Sequence, residues 1–233
     1  MSMIEFFKKF PEIKAVMSKK ADGSMKLLPG GVNIRNRNNF FAKIGIEGDR
    51  VFSADLTHSN NVKKVFADSP RIISGTDALV TAERNCFLSV TVADCLPILF
   101  FESEKKIVGI AHAGWRGLLS GIVENTIAEI VSLGGSVENL YMEIGPAIGK
   151  CHFEIKEDIL DNFRDYADFV EKKDGKYSVD LKGIAKNKII SRGIPAGNIE
   201  DSSHCTYSDS GLFSYRRDKP ETVEAGIVLV GIK

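Results

Sequence analysis

The sequence has no excess of charge of either sign: 31 basic residues balance 31 acidic ones, for a net charge of zero. A protein that binds nucleic acid nonspecifically needs surplus positive charge to neutralise phosphates, so the balanced charge argues against nucleic acid as a partner. No apolar run approaches the ~20 residues of a membrane-spanning helix. Residues 1–14 also lack the apolar core of a signal peptide. We therefore expect a soluble, cytoplasmic protein that binds no membrane.

Cysteine is scarce, and its four residues are scattered along the chain without any CxxC spacing, at Cys86, Cys95, Cys151 and Cys205. This pattern does not fit a disulfide framework and favours a reducing compartment. Internal repeats and low-complexity tracts are also absent. The composition, 43% hydrophobic and 27% charged, is that of an ordinary globular protein large enough to form a substantial core.

Hydrophobic periodicity predicts strands mixed with helices, and hairpins mixed with strand–helix units. We therefore predict a single α+β domain over residues 1–233, built of mixed β-sheets with flanking helices. Residues 1–29 are predicted to form an extension with a short helix and a hairpin. The predicted helices are 4–10, 35–44, 118–131, 155–166 and 181–192, and the main predicted strands are 13–18, 25–28, 51–56, 62–66, 77–81, 98–101, 107–111, 140–144, 169–173, 177–179 and 225–230.

Two apolar runs in the stretch from Ser89 to Gly117 have strand length and are separated by a charged turn. Cys95 precedes the first run and His112 ends the second. If the runs pair, a thiolate and an imidazole lie side by side, and both are good ligands for zinc or copper. On spacing alone, a small buried cysteine and a solvated or hydrogen-bonded histidine are the more usual explanation of the pattern.

A loop with the sequence AHAGWRG follows the second run and leads into the predicted helix 118–131. Gly114 and Gly117 flank Trp115 and Arg116 there. Backbone N–H groups, a helix N-terminus and a guanidinium together can bind an anion. The alternative is a plain tight turn in which Trp115 serves only for packing.

Four motifs in order resemble the YfiH family, also known as the laccase-domain, multicopper polyphenol oxidase-like or peptidoglycan editing factor family. The resemblance runs from about Gly30 to near the C-terminus and implies a YfiH-like fold. It also implies a zinc-containing purine nucleoside phosphorylase with adenosine deaminase activity. The motifs are ADCLPILF, AHAGWRG, IGPAIGKCHFEI and FSYRRD.

The resemblance also implies a third metal ligand, His58, in the segment LTHSNNV. The family usually has Gln-Val-His-Gly there, so this chain keeps the imidazole but changes its neighbours. His58, Cys95 and His112 are then the zinc ligands, with copper as a second option for the metal. Cys95 and His112 are the expected catalytic residues. Three protein ligands leave the fourth tetrahedral position open, which is typical of catalytic zinc.

The expected substrates are a purine nucleoside (adenosine, inosine, guanosine or methylthioadenosine) and phosphate. By resemblance and charge, we expect Arg37, Arg116 and Arg217 to bind substrate. A family TGR element is replaced by Thr222-Val223-Glu224. Because an acid would stand where an arginine could hold an anion, we expect phosphorolysis to be slow relative to deamination, and a Glu224→Arg change to raise it.

The remaining candidate residues receive weaker predictions. Cys86 is expected to have no function, Asp94 is left without a role, and Cys205 is as easily structural as functional. Cys151 and His152 are adjacent, and neighbouring side chains of an extended segment point in opposite directions, so we do not expect both to face one metal.

Three other functions stay open. The first is a cysteine amidohydrolase acting on a peptidoglycan precursor, with Cys95 as nucleophile and His112 as base. The second is a copper-dependent phenol oxidase, although one His–Cys–His set lacks the several coppers of such enzymes. The third is a non-catalytic protein stabilised by zinc.

Overall fold

The computed structural model describes residues 3–27 and 33–233. The α-helices in these residues are α1 (Ile34–Ile44), α2 (Trp115–Leu119), α3 (Ile122–Ser132), α4 (Leu181–Ser191) and α5 (Tyr215–Asp218). Turns of 3₁₀ helix occupy Lys20–Asp22, Gly48–Arg50, Val137–Asn139, Glu157–Phe169 and Ala196–Asn198. The strands are β1 (Ile4–Glu5), β2 (Ile13–Met17), β3 (Val51–Asp55), β4 (Val62–Lys64), β5 (Ile72–Ser74), β6 (Ala78–Thr81), β7 (Phe87–Val92), β8 (Leu96–Glu102), β9 (Ile107–Ala113), β10 (Leu140–Ile144), β11 (Glu154–Ile155), β12 (Val170–Lys173), β13 (Lys176–Val179), β14 (Ile199–Asp201) and β15 (Gly226–Ile232).

Two six-stranded mixed sheets form the centre of the fold. The first has the order β1-β2-β15-β7-β3-β5, and the second has the order β14-β10-β8-β9-β6-β4. A small third sheet, β11-β13-β12, lies outside them. The predicted single α+β domain with mixed sheets and flanking helices is confirmed. None of the helices in the described part of the chain is long and apolar enough to cross a membrane.

The side chains of β8 show how the layers are stacked. Leu99 and Phe101 belong to the core between the two sheets. Ile98 and Phe100 point to the opposite face and pack in the core beneath α3 and α4. Because both faces of this strand are buried, its sequence is a continuous apolar run instead of an alternating one. The outer face of the first sheet is covered by α1.

The helix predicted over 118–131 is divided in two. Gly121 lies between α2 and α3 with φ of 100°, a left-handed conformation that glycine adopts without a steric penalty. The helix predicted over 155–166 is not an α-helix. A 3₁₀ segment, Glu157–Phe169, lies there instead, and Tyr166 within it departs from helical backbone angles.

The N-terminal prediction is wrong in one element and incomplete in another. The helix expected over 4–10 is absent: β1 pairs with β2 instead, and Phe10 packs with its ring centroid 4.8 Å from that of Phe101. The strand predicted at 13–18 is confirmed as β2, but its second partner is β15. Residues 25–27 form no strand, and Leu28 lies outside the described residues.

Two connections bring the candidate ligands together. The predicted pairing of the two apolar runs is confirmed, because β8 and β9 are antiparallel with Pro97 opposite His112. Cys95 therefore lies just before the start of β8, beside the end of β9. The loop 56–61 leaves β3 in the first sheet and enters β4 in the second, so His58 lies where the chain crosses between sheets.

Candidate metal centre

His112 is buried in β9, and the carboxylate of Asp77 determines which ring nitrogen faces the site. The Nδ1 atom of His112 lies 2.9 Å from Oδ1 of Asp77, and the His112 backbone N–H donates to the Asp77 carbonyl at 2.7 Å. With Nδ1 engaged, Nε2 is the nitrogen that can bind a metal. A carboxylate on the far nitrogen of a ligating histidine is the common arrangement in zinc proteins.

The same carboxylate shapes the loop that carries His58. It accepts hydrogen bonds from the backbone N–H groups of Thr57, His58 and Ser59, at 3.2, 2.9 and 2.7 Å. Burial by itself raises the pKa of Asp77, but hydrogen bonds from His112 and Ser59 outweigh it and hold the pKa well below its usual range. Asp77 therefore orients two of the three candidate ligands. Sequence reasoning assigned it only to a strand.

Asp94 holds the third candidate ligand in position. Its backbone has φ of 87°, so the chain turns sharply just before Cys95. Its carboxylate accepts hydrogen bonds from the Thr206 hydroxyl at 2.6 Å and the Arg216 backbone N–H at 2.7 Å, and its carbonyl accepts one from Ile148. Asp94, for which the sequence indicated no role, therefore anchors the Cys95 turn to three other segments of the chain.

The ligand atoms of His58, Cys95 and His112 all lie within 4.8 Å of one another. The two imidazole rings are nearly perpendicular, with centroids 4.9 Å apart. Burial by itself raises the pKa of Cys95, but the neighbouring His112 and His58 lower it to about 6. Burial lowers the pKa of His112, whereas Cys95 and Asp77 together raise it to about 9. The thiol therefore ionises readily, as a metal ligand must.

The residues present fit a zinc ion. Two nitrogens and one sulfur are a common zinc donor set, and the space beside them is kept open by Gly114. A Cβ atom at this position would lie 3.2 Å from both Cys95 Sγ and His58 Cδ2, and 3.8 Å from His112 Cε1. A side chain at position 114 would therefore crowd the residues that carry the three donors.

Replacing Gly114 by alanine is expected to weaken metal binding about 10-fold or more, since the new methyl group crowds two ligands. Gly114 has φ of −65°, so alanine meets no backbone strain and the fold should be kept. Metal affinity measured by competition with a chelator tests this, with Gly197→Ala as control, because a Cβ there has nothing within 4 Å. Equal affinities of the Gly114 variant and the unaltered chain would contradict it.

The three candidate ligands open into a cavity of about 420 Å³. Its walls are mainly apolar or aromatic, and they include Trp115, Phe153 and Tyr215. Lys26 and Arg216 supply positive charge. Small-molecule sites usually have this size and this mixture of apolar walls with few polar groups.

A family model described as "Multi-copper polyphenol oxidoreductase laccase" matches residues 32–230. The chain belongs to this family. Among curated proteins it is 33% identical over 189 residues to a purine nucleoside phosphorylase of Deinococcus radiodurans, covering 80% of this chain and 72% of that protein. It is also 29% identical over 190 residues to "Adenosine deaminase RL5" of an unknown prokaryotic organism, covering 75% of this chain and 72% of that protein.

Solved structures of relatives show the same fold. The YfiH protein of Bacillus licheniformis superposes with a TM-score of 0.90 at 28% identity, covering 100% of this chain and 97% of that one. YlmD of Geobacillus stearothermophilus superposes with a TM-score of 0.91 at 25% identity and the same coverage. The laccase-like family of this chain thus includes proteins named for two different reactions on purine nucleosides.

Arg37, Arg116 and Arg217 were predicted to bind substrate, but none of them is among the residues that line the cavity of this laccase-like protein. Arg37 is buried and donates to the Met25 carbonyl and the Ser53 hydroxyl, and burial lowers its pKa to about 10. Arg116 is exposed and lies over the ring of Trp115, 4.3 Å from its centroid. The structure therefore puts Arg37 in a supporting position behind the sheet and Arg116 over a side chain that lines the cavity.

Arg217 is used to close a loop. Its guanidinium donates to the backbone carbonyls of Thr206, Tyr207, Asp209 and Leu212, and a salt bridge to Asp218 raises its pKa. Arg216 is the arginine of the FSYRRD motif that lines the cavity. The motif predicted a functional arginine, but its spacing could not decide which of the two neighbours lines the cavity.

Glu224 is exposed, and its neighbours Val223 and Ala225 line the cavity while it does not. We therefore expect Glu224→Arg to change the ratio of phosphate-dependent to hydrolytic rates by less than about twofold, because exposed charges contribute little. Parallel assays with and without phosphate measure this ratio. Lys26→Ala is the positive control, since Lys26 lines the cavity. A clear rise in the phosphate-dependent rate would instead place Glu224 at the phosphate site, as the resemblance implied.

Cys86 is buried at the end of an otherwise exposed loop before β7, and burial raises the pKa of its thiol. We expect Cys86→Ser to leave turnover and metal content unchanged, while lowering stability by about 1 kcal/mol because a hydroxyl is buried. Metal analysis, a nucleoside assay and thermal unfolding of the same preparation test this. A large loss of metal would show that the loop carrying Cys86 affects metal binding at the candidate metal centre.

The sequence-based prediction for Cys151 and His152 is wrong. Together with Cys205 they form a second group whose ligand atoms lie within 4.8 Å of one another. The alternation of side chains holds for extended backbone, whereas these two residues lie in a turn that precedes β11. Sequence spacing gave no signal for the approach of Cys205.

Proposed function

We propose that this chain is a zinc-dependent purine nucleoside phosphorylase that also deaminates adenosine. The supporting observation is the open three-ligand set of His58, Cys95 and His112 at one wall of an apolar cavity. The names of two relatives, one a phosphorylase and one a deaminase, agree with it. The proposed substrates are adenosine, inosine, guanosine or methylthioadenosine, together with phosphate.

The side chains of His58, Cys95 and His112 would hold the zinc ion. Zinc when bound supplies a Lewis acid and makes water nucleophilic near neutral pH. The protein contributes the positions of its own groups: Asp77 keeps the His112 ring fixed with Nε2 inward, and Asp94 fixes the turn that presents Cys95. These interactions fix the donor set before substrate arrives.

The cavity walls suit a purine nucleoside. Trp115 and Phe153 provide flat apolar surfaces against which a base can stack. Trp115 is itself backed by Phe163, with ring centroids 5.8 Å apart. Burying the base there would also exclude water from the reacting atoms.

The positive groups of the cavity are the proposed phosphate contacts. Arg216 is held in place because its Nη1 donates to the carbonyls of His152 and Glu154, at 3.3 and 3.1 Å. Lys26 lines the same cavity, and the exposed Arg116, which lies over Trp115, is the third proposed contact. For phosphorolysis, the cations would hold phosphate while its oxygen bonds to C1′ and the bond to the purine nitrogen breaks, releasing the base with a proton.

The proposal is tested by measuring metal content and then assaying a nucleoside panel with and without phosphate. We expect zinc-dependent formation of free base only with phosphate, and formation of ammonia and inosine from adenosine without it. Chelation should abolish both reactions, and added zinc should restore them. Turnover that survives complete metal removal would overturn the zinc-dependent mechanism, and copper restoring activity better than zinc would change the metal.

A cysteine amidohydrolase is the second candidate, favoured by the low pKa of Cys95 next to His112. In the metal-free chain these two groups would form a thiolate–imidazolium pair, as in cysteine hydrolases. The thiolate would add to an amide carbon, the imidazolium would protonate the leaving amine, and water would release the acid. Amide hydrolysis by metal-free protein, lost on thiol alkylation, would favour this function over the first.

A further inference from the structure

Two thiols and one imidazole form a group of their own outside the candidate metal centre. Nδ1 of His152 lies 3.0 Å from Sγ of Cys151 and 3.7 Å from Sγ of Cys205. All three ligand atoms lie within 4.8 Å of one another. The group is made from two distant segments of the chain, so tertiary structure has to bring it together.

The backbone of both segments is fixed around this group. The N–H groups of His152 and Phe153 both donate to the carbonyl of Gly149, at 2.9 Å each, which closes a turn. The segment carrying Cys205 is tied to the same turn by a bridge between Ala147 and Cys205. A Cβ atom at Gly149 would lie 3.2 Å from Cys151 Sγ and 3.4 Å from Cys205 Cβ, so a larger residue would disturb both thiols.

The ring of His152 is also held in one orientation. It stacks on Tyr207 with ring centroids 4.1 Å apart and an angle of 17° between the planes. The Gly149 backbone N–H donates to Sγ of Cys205 at 3.2 Å, an interaction that favours the thiolate form. Orientation of a ligating ring by its surroundings is typical of metal sites.

We propose that Cys151, His152 and Cys205 bind a second metal ion, zinc or a divalent metal with similar ligand preferences. Nδ1 of His152 would be the nitrogen ligand. Bond lengths of about 2.3 Å to sulfur and 2.0–2.1 Å to nitrogen place tetrahedral donor atoms about 3.6–3.8 Å apart. The observed nitrogen–sulfur distances of 3.0 and 3.7 Å need only small movements to reach this geometry. A disulfide would use the two sulfurs alone and would leave the nearby Nδ1 without a role.

This second site lies next to the nucleoside cavity without being part of its donor set. Phe153, which lines the cavity, follows His152 directly, and Arg216 donates to the His152 carbonyl. Thr206, which follows Cys205, donates to Asp94. A metal at the second site would therefore link two segments that support the cavity wall.

The test is a cobalt titration of the full chain under reducing conditions, since cobalt replaces zinc and its bonds to thiolates absorb in the near ultraviolet. The background is His58→Ala with Cys95→Ser, which removes two ligands of the candidate metal centre. We expect this variant to bind about one cobalt per chain with a thiolate absorption. Adding Cys151→Ser, an exposed and structurally mild change, should weaken binding at least about 10-fold, and adding Cys205→Ser as well should abolish the absorption.

Matched controls come from the same chain. Cys86→Ser removes a thiol outside the group, and His204→Ala removes a nearby exposed imidazole that pairs with Asp209. Both should leave the cobalt absorption unchanged. Absence of thiolate absorption in the background variant, its survival after loss of both Cys151 and Cys205, or a Cys151–Cys205 disulfide formed despite reductant would each overturn the proposal. The readout involves no nucleoside turnover, so failure of the proposed function would leave it unaffected.

Discussion

Replacing Cys95 by alanine is expected to lower adenosine turnover by roughly 10³-fold, equivalent to about 4 kcal/mol of lost transition-state stabilisation. The side chain supplies the only sulfur of the donor set that also contains His58 and His112. Two imidazoles alone bind zinc far less tightly, so the centre should lose its metal as well. Turnover rate and metal content of the same preparation measure both effects.

Cys86→Ala is the matched control for Cys95→Ala, because it also removes a thiol but lies outside the centre. It should keep both metal and turnover. If Cys95→Ala retained turnover at the level of the control, Cys95 would be neither ligand nor nucleophile. Loss of turnover with full retention of metal would instead show that Cys95 is not a metal ligand and that its thiolate acts directly on the substrate.

Replacing Asp77 by asparagine is expected to lower metal affinity by about 10–100-fold and to cost about 2–4 kcal/mol of stability. The amide keeps one acceptor oxygen, but its NH₂ group would face N–H donors that now bond to the carboxylate, those of Thr57 and Ser59. The loop carrying His58 would lose its anchor, and the ring of His112 would lose its charged partner. Chelator competition and thermal unfolding measure the two effects separately.

Asp55→Asn is the control for this prediction, since Asp55 is an exposed acid at the end of β3. It should change neither metal affinity nor unfolding temperature appreciably. Asp77→Asn protein with normal metal affinity but reduced stability would show that the carboxylate supports the fold alone. In that case the orientation of His112 would have to come from the strand pairing.

The pairing of Cys95 with His112 could be predicted from sequence because it depends on local rules. Two apolar runs joined by a short charged turn form an antiparallel pair, and the ends of such a pair are adjacent. The resemblance then supplied His58, which no local pattern indicates. The structure brings all three together.

Features that depend on distant segments could not be predicted in this way. The segment 4–10 has an amphipathic pattern, but a free sheet edge and the aromatic ring of Phe101 favour extended chain there. Arg217 has the appearance of a substrate ligand in the motif, yet backbone carbonyls of a neighbouring loop occupy its guanidinium. The role of Asp77 had one local signal, a buried acid at the start of an apolar strand.

The position of β15 also has a consequence for synthesis of the protein. This strand lies between β2 and β7, so residues 13–17 pair with residues 228–232. On the ribosome, the first sheet cannot close until the chain has been translated through Ile232. Because such long-range pairing forms slowly, β2 and β7 each keep an unpaired edge until β15 has been made. Unpaired strand edges of this kind can bind chaperones or other nascent chains.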